Sequence, residues 1–307
     1  MPTKNIKNKF NPIILAIIIA MIINPSLSII LMIILIIYIK KNPKSSFFDL
    51  IKKNIGNNTD SQTMEETEQS IVEKITSIKP FITQSFFNQT RLVKNKKYLQ
   101  IALNSTLEEA REIISQIPVS DRILIEAGTP LIKIYGAGAI SQIRNMAPAG
   151  TYIVADNKCA DLAAREVEMM ANAGANASTC LGIAPIETID SFIEECGKFN
   201  IDSMIDMMNV ENALSVLKKL KKLPNAVILH RGVDESEFSK EKQIPYYQIK
   251  QIKGNYNILV AVAGGDTIRE VQRAIFNDAD IVVVWKNFYQ SNAETAKLAE
   301  SFLGEIR

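Results

Sequence analysis

The sequence predicts an α/β chain whose folded part is a (β/α)₈ TIM barrel, and three observations carry that prediction. After Asn95, eight short apolar runs rich in β-forming residues follow one another. Amphipathic stretches with apolar positions three and four apart separate them, which is the pattern of strands covered by helices. The runs recur roughly every 26 residues over roughly 210 residues, the compact end of the range for eight βα units.

Before the barrel, Ile13 to Ile39 is almost entirely Ile, Leu, Met and Ala, broken only by Asn24-Pro25-Ser26-Leu27-Ser28 and Tyr38, with no charge inside. As one helix it would reach roughly 40 Å, enough to cross a bilayer with tilt or with a kink at Pro25. A hairpin is the competing form, each half being about eleven residues and so shallow or re-entrant. Lysines flank both ends (Lys4, Lys7, Lys9; Lys40, Lys41, Lys44), so the charge bias does not set an orientation. We therefore expect a membrane anchor over 1–40 that contacts lipid through 13–39. A polar linker over 41–95 carries the run Gly56-Asn57-Asn58-Thr59-Asp60-Ser61, and the barrel occupies 96–307.

The candidate strands are Leu99–Leu103, Ile123–Glu126, Tyr152–Asp156, Ala177–Leu181, Met204–Asp206, Ala226–His230, Ile258–Ala263 and Ile281–Val284. Between them, Leu107–Gln116, Ala163–Ala173 and Ile186–Phe199 carry charged outer faces and should form part of the outer ring. A doubly wound open sheet is the main competitor. Even spacing and the lack of a glycine-rich turn after the first strand favour a closed barrel.

Composition narrows the chemistry. The 35 basic and 33 acidic residues balance, so no bias toward nucleic acid is present. Cys159, Cys180 and Cys196 have neither disulfide-framework nor zinc spacing and suit a reducing, cytoplasmic setting for the barrel. With His230 as the one histidine, a multi-histidine metal site within one chain is excluded.

In such a barrel the C-terminal strand ends face the active-site mouth. The apolar runs end on, or lead directly into, Asn104, Glu126, Asp156 with Lys158 and Asp161, Gly182, Asp206 with Asn209, His230 with Arg231 and Asp234, Gly264-Gly265, and Trp285-Lys286. Any one of these charges reads most simply as a loop charge or a helix cap. Their coincidence at one rim does not. In Asp156-Asn157-Lys158-Cys159-Ala160-Asp161 a lysine between two carboxylates stays charged, an arrangement able to orient a metal or stabilise a developing enediolate or carbanion.

The runs Leu99-Gln100-Ile101-Ala102-Leu103, Glu126-Ala127-Gly128-Thr129-Pro130-Leu131-Ile132-Lys133 and Asp156-x-Lys158-x-x-Asp161 occur in that order. After them come Thr179-Cys180-Leu181-Gly182, Asp206-Met207-Met208-Asn209, His230-Arg231-Gly232-Val233-Asp234-Glu235 and Val262-Ala263-Gly264-Gly265. Together they resemble the 3-hexulose-6-phosphate synthase branch of the orotidine-monophosphate-decarboxylase superfamily, over 97–307 and none of 1–95. The resemblance implies a reversible aldol reaction of formaldehyde with ribulose 5-phosphate, through an enediolate. By the same resemblance Glu126 and Asp156 would hold Mg²⁺, Lys158 and Asp161 would frame the enediolate, and His230 would move protons. Asn104, Gly264, Gly265 and Lys286 would meet the substrate and its phosphate, and a homodimer is expected.

The chain departs from that pattern in three places. Asn104 stands where the family has an Asp, Trp285-Lys286 stands where it has Gly-Arg or Gly-Ala, and Leu162-Ala163 stands where Ala-Gly is common. Two other readings therefore stay open: a decarboxylase of the same superfamily, and a retired barrel serving as a membrane-bound binding module.

Overall fold

The computed structural model describes residues 91–239, 243–265, 267–285 and 295–306; the apolar segment Ile13–Ile39, the remainder of 1–90, and Lys286 lie outside the described residues. Among the described residues no helix is long and apolar enough to cross a membrane.

Eight strands form a closed barrel in sequence order: β1 (Tyr98–Leu103), β2 (Ile123–Ala127), β3 (Tyr152–Cys159), β4 (Ala177–Leu181), β5 (Asp202–Asp206), β6 (Ala226–His230), β7 (Leu259–Ala263) and β8 (Ile281–Val284). Every pairing is parallel, and β8 closes on β1. The helices described are α1 (Leu107–Gln116), α2 (Thr129–Tyr135), α3 (Gly138–Met146), α4 (Ala163–Asn172), α5 (Ile186–Lys198), α6 (Ala213–Leu217), α7 (Val233–Phe238), α8 (Tyr247–Asn255), α9 (Ile268–Phe276) and α10 (Thr295–Glu305). The eight strands stand where the apolar runs place them. Five differ in their bounds: β1 begins at Tyr98, β2 continues through Ala127, β3 continues through Cys159, β5 begins at Asp202, and β7 begins at Leu259.

Strand alternation divides the core in two. Leu99, Ile101, Ile123, Ile125, Ile153 and Val260 face outward and pack against Ile113, Ile140, Val167, Phe192, Ile249 and Val271 of the helices. Tyr98, Ala102, Leu124, Val154, Ala177, Met204, Ala226, Ile228, Ala261 and Val283 face inward, where space allows many small side chains. Site residues are reached from these inward positions by steps of two: Asn104 from Ala102, Glu126 from Leu124, Asp156 from Val154, Asp206 from Met204, His230 from Ile228, and Trp285 from Val283. The period of the strand thus aims them along the barrel axis.

At the N-terminal end of the strands, residues before β1 close the barrel. Arg91 donates to Asp202 Oδ1 at 2.7 Å and Asn200 Oδ1 at 2.7 Å, Leu92 N donates to Asp202 Oδ2 at 3.0 Å, and the Leu92 side chain packs on the inner cluster. The buried Tyr152 hydroxyl also donates to Asp202, at 2.7 Å. At the opposite end Trp285 packs on the same cluster.

Candidate active site at the C-terminal strand ends

A cavity of about 400 Å³ opens at the C-terminal ends of the strands, lined by Asn104, Glu126, Asp156, Lys158, Asp206, His230, Arg231, Gly264 and Trp285 among others. A second cavity of about 280 Å³ lies between the β1–β3 strand starts and carries no comparable cluster of charge.

The centre of the site is Asp206, 1% exposed. Lys158 Nζ donates to its Oδ2 at 2.7 Å, His230 Nδ1 lies 2.9 Å from the same oxygen, and Met208 N donates to Oδ1 at 3.0 Å. An ionised carboxylate can only accept, so Nδ1 carries the shared proton and Nε2 is the ring's second proton site. Burial works against ionising Asp206, but the His230 and Lys158 bonds and charges outweigh it and hold the carboxyl at about 2. Burial likewise opposes the charged imidazole, and Asp206 overcomes it, so His230 sits above its ordinary 6.5.

Lys158 spans two acids. Besides Asp206 it reaches Asp156 Oδ1 at 3.2 Å, and these carboxylates outweigh the cost of burying the ammonium, raising its pKa. Asp156 also accepts from Thr129 Oγ1 at 2.8 Å and Thr179 Oγ1 at 2.9 Å. A break in β3–β4 register between Ala155 and Cys159, with Lys158 at φ 49°, aims the lysine into the site. Asn157 secures that bulge from behind, accepting from Ser178 Oγ at 2.7 Å and donating to Glu166 Oε2 at 2.9 Å.

Glu126 is buried beside this network and takes a hydrogen bond from Gln100 Nε2. Burial first, and then the charge of Asp156, push its pKa up to about 7. A cation beside these two acids would relieve both effects. The oxygen-only donors suit a hard ion. Among the described residues no group of three or more His, Cys, Asp or Glu is arranged to cage a metal. The residues therefore fit an ion that keeps waters and takes substrate oxygens, as Mg²⁺ does, and do not fit one held wholly by protein.

Of the residues singled out in the sequence, Asn104, Glu126, Asp156, Lys158, Asp206, His230, Arg231, Gly264 and Trp285 share the cavity. Asp161 does not: it is exposed on the loop after Cys159, where the chain turns through Leu162 at φ 51°. Gly265 is also outside the lining, and a Cβ there would meet Glu270 Cβ at 2.9 Å. Gly264 has φ 93° and lies so close to Arg231 that a Cβ would come within 2.2 Å of the Arg231 carbonyl oxygen. The glycine is therefore required by backbone approach. Lys286 falls outside the described residues. The structure adds Gln100, Thr129 and Thr179 to the site, and brings in Asp206 and Arg231, named in the sequence only as residues of the rim. Asp206 was visible as a strand-end acid, and Gln100 as the one polar residue in an apolar run.

The chain matches the family described as Orotidine 5'-phosphate decarboxylase / HUMPS family over residues 97–301. It is 42% identical over 221 residues to the bifunctional enzyme Fae/Hps of Methanosarcina barkeri, covering 72% of this chain and 55% of that protein. It is 43% identical over 194 residues to the protein of the same name in Methanocella arvoryzae, covering 62% of this chain and 48% of the relative. The chain thus spans about half the length of the curated relatives it matches. Among solved structures, 3-hexulose-6-phosphate synthase from Salmonella typhimurium superposes with a TM-score of 0.62 at 26% identity, covering 68% of this chain and 98% of that one. KGPDC from Streptococcus mutans gives 0.57 at 21% identity over 69% of this chain and 98% of that one, a likeness of fold alone.

Proposed function

Because the chain belongs to the Orotidine 5'-phosphate decarboxylase / HUMPS family, we propose that its barrel is an aldehyde-lyase of the 3-hexulose-6-phosphate synthase type. In this reading it adds formaldehyde to ribulose 5-phosphate and splits arabino-3-hexulose 6-phosphate in reverse. The observation that carries the reading is Lys158 held between Asp156 and Asp206 beside His230, in the barrel mouth.

The reaction needs a proton taken from C1 of the ketose, charge stabilised on the resulting enediolate, and a new bond from C1 to the formaldehyde carbon. His230, with Nδ1 fixed by Asp206, takes the C1 proton at Nε2. Lys158 stays an ammonium and stabilises the enediolate oxygens. As the bond to formaldehyde forms, the proton on His230 goes to the former aldehyde oxygen, which balances the step. Glu126 and Asp156 would hold Mg²⁺, which when bound supplies Lewis-acid polarisation of the ketose oxygens. Arg231 in the cavity wall supplies a positive charge for the phosphate end, next to Gly264, whose carbonyl it bonds at 3.0 Å.

The test is formaldehyde release from arabino-3-hexulose 6-phosphate by the full chain in Mg²⁺, beside Asp156→Ala. Release abolished by the substitution supports the reading. No release overturns it, and carbon dioxide released from a keto-acid phosphate instead would establish the decarboxylase. Failure to act on either, with no Mg²⁺ binding, would favour the retired barrel.

Two further proposals concern the molecule's surroundings. A homodimer, expected from the resemblance, would be refuted by a monomer in sedimentation at micromolar concentration. Attachment to lipid through 13–39, with the barrel on the cytoplasmic side, predicts that the full chain floats with vesicles while a chain starting at 41 does not.

A further inference from the structure

Gln100 is a polar residue set where the barrel otherwise uses apolar ones. It sits on the inner face of β1, paired in register with Leu124 of β2 and Val283 of β8, and is 1% exposed. Ala102, two residues on, is level with Glu126, so Gln100 stands one interior layer below that carboxylate, at the closed end of the cavity it helps to line. Nε2 donates to Glu126. Oε1 is buried and has no hydrogen-bond partner among the described residues. The neighbouring wall residues Ala102, Leu124, Ile228 and Val283 have no side-chain donor to offer it.

Native interiors rarely leave a buried acceptor unmet, and each instance calls for a reason. Holding Glu126 explains Nε2 and leaves Oε1 unexplained, whereas a donor arriving with a ligand explains both ends of the amide. We propose that Gln100 is a specificity-determining residue whose Oε1 accepts a hydrogen bond from an O–H group brought to the closed end of the cavity. The donor has two possible sources, a hydroxyl of the sugar chain or a water carried by the divalent cation. In either case the amide favours ligands that carry O–H groups, because a site built to bond a hydroxyl discriminates against the analogue that lacks it. The inference rests on the sugar-phosphate and Mg²⁺ reading above.

The experiment is calorimetric binding to the full chain of Mg²⁺ alone, and of ribulose 5-phosphate in Mg²⁺-free buffer and with Mg²⁺ present. It compares the unsubstituted chain with Gln100→Met, which removes both polar ends at similar volume, and Gln100→Glu, which keeps an acceptor oxygen but loses the donor to Glu126. Folding of each variant is checked by thermal melting. We expect Gln100→Met to weaken one probe by on the order of tenfold, and Gln100→Glu to retain most of that affinity. A loss confined to Mg²⁺ identifies the cation's water as the donor, and a loss confined to the sugar phosphate identifies the hydroxyl.

Equal losses in both variants would assign the effect to the bond with Glu126 and overturn the proposal. So would unchanged affinity in a folded Gln100→Met, with the substrate reading left intact. If the unsubstituted chain binds Mg²⁺ but no ribulose 5-phosphate either with or without Mg²⁺ present, the substrate reading falls, while a weaker Mg²⁺ affinity in Gln100→Met still supports Gln100. Binding of neither probe overturns both.

Discussion

Asp206 accepts from Lys158, His230 and the Met208 amide while almost wholly removed from water. Its neighbours decide its charge, and it decides theirs. For Asp206 the folded value of about 2 lies below the ordinary 3.8, so the ionised form contributes stability that is complete above 3.8 and lost as pH falls through about 2. For His230 the shift is upward from 6.5, so protonation contributes stability that is complete below 6.5 and lost as pH rises through the folded value. A ring that must be neutral to take a proton should make turnover rise with pH across that same raised value. The chain has one histidine, so its imidazole resonance is unambiguous in an NMR titration. The midpoint should lie above 6.5 in the unsubstituted chain and fall in Asp206→Asn, where burial and the Lys158 charge are opposed by the Asp156 charge without Asp206. Turnover in that variant should fall on the order of a hundredfold or more. A midpoint that does not move would show that Asp206 does not govern the ring.

The element that does most to shape the site is β3. Up to Val154 it pairs as an ordinary strand, and beyond Ala155 its register with β4 breaks, so that Asp156 and Lys158 project into the mouth while Asn157 turns back toward Ser178 and α4. Asn157, inside the bulge, supplies side-chain bonds to Ser178 and Glu166 that keep it in one conformation. Asn157→Ala should therefore cost about 1–2 kcal/mol in urea unfolding. Turnover should fall further than such a change alone would produce at saturating substrate, because Lys158 loses its aim. Asn157→Asp keeps the acceptor for Ser178 but sets a carboxylate against Glu166, and should fall between the two. If Asn157→Ala unfolds earlier yet turns over normally, the bulge is structural only. β5 shows the same economy over five residues: Asp202 serves the barrel floor, Met204 the inner core and Asp206 the site, all on one face.

Across the whole molecule, the parts legible in the sequence are those written in period and hydrophobicity. Parallel barrel strands are buried on both sides, so they stand out as apolar runs, and all eight fall where those runs lie. The strand-end charges were legible as a set because the fold sends every strand end to one mouth. Which acid organises the set was not: nothing in the spacing of Asp156, Asp161 and Asp206 says that Lys158 and His230 meet on Asp206 while Asp161 stays exposed. That depends on a bulge and a left-handed turn, which are backbone features without a hydrophobic signature. The floor was equally hidden, since Arg91 and Leu92 come at the end of a long polar stretch and read as its continuation.

Those two residues give the molecule a testable lower edge. Arg91 and Leu92 saturate Asp202, a carboxylate 1% exposed whose other side-chain donor is Tyr152. Removing them leaves that charge short of donors and uncovers the inner cluster, and an acid stranded in this way is costly. Arg91 itself is 37% exposed on its side chain, so solvent screens part of its bond to Asp202. We expect a chain shortened to begin at Lys97 to be less stable than one beginning at Asn88, by about 2–4 kcal/mol in urea unfolding. Arg91→Ala in the longer chain should account for about 1–2 kcal/mol of that difference once screening is allowed for. The candidate active-site mouth lies at the other end of the strands, so both changes should leave the proposed affinity for sugar phosphate unaltered well below the melting transition. Equal stability of the two chains would mean that Asp202 and Tyr152 close the floor without help, and that the barrel begins at β1.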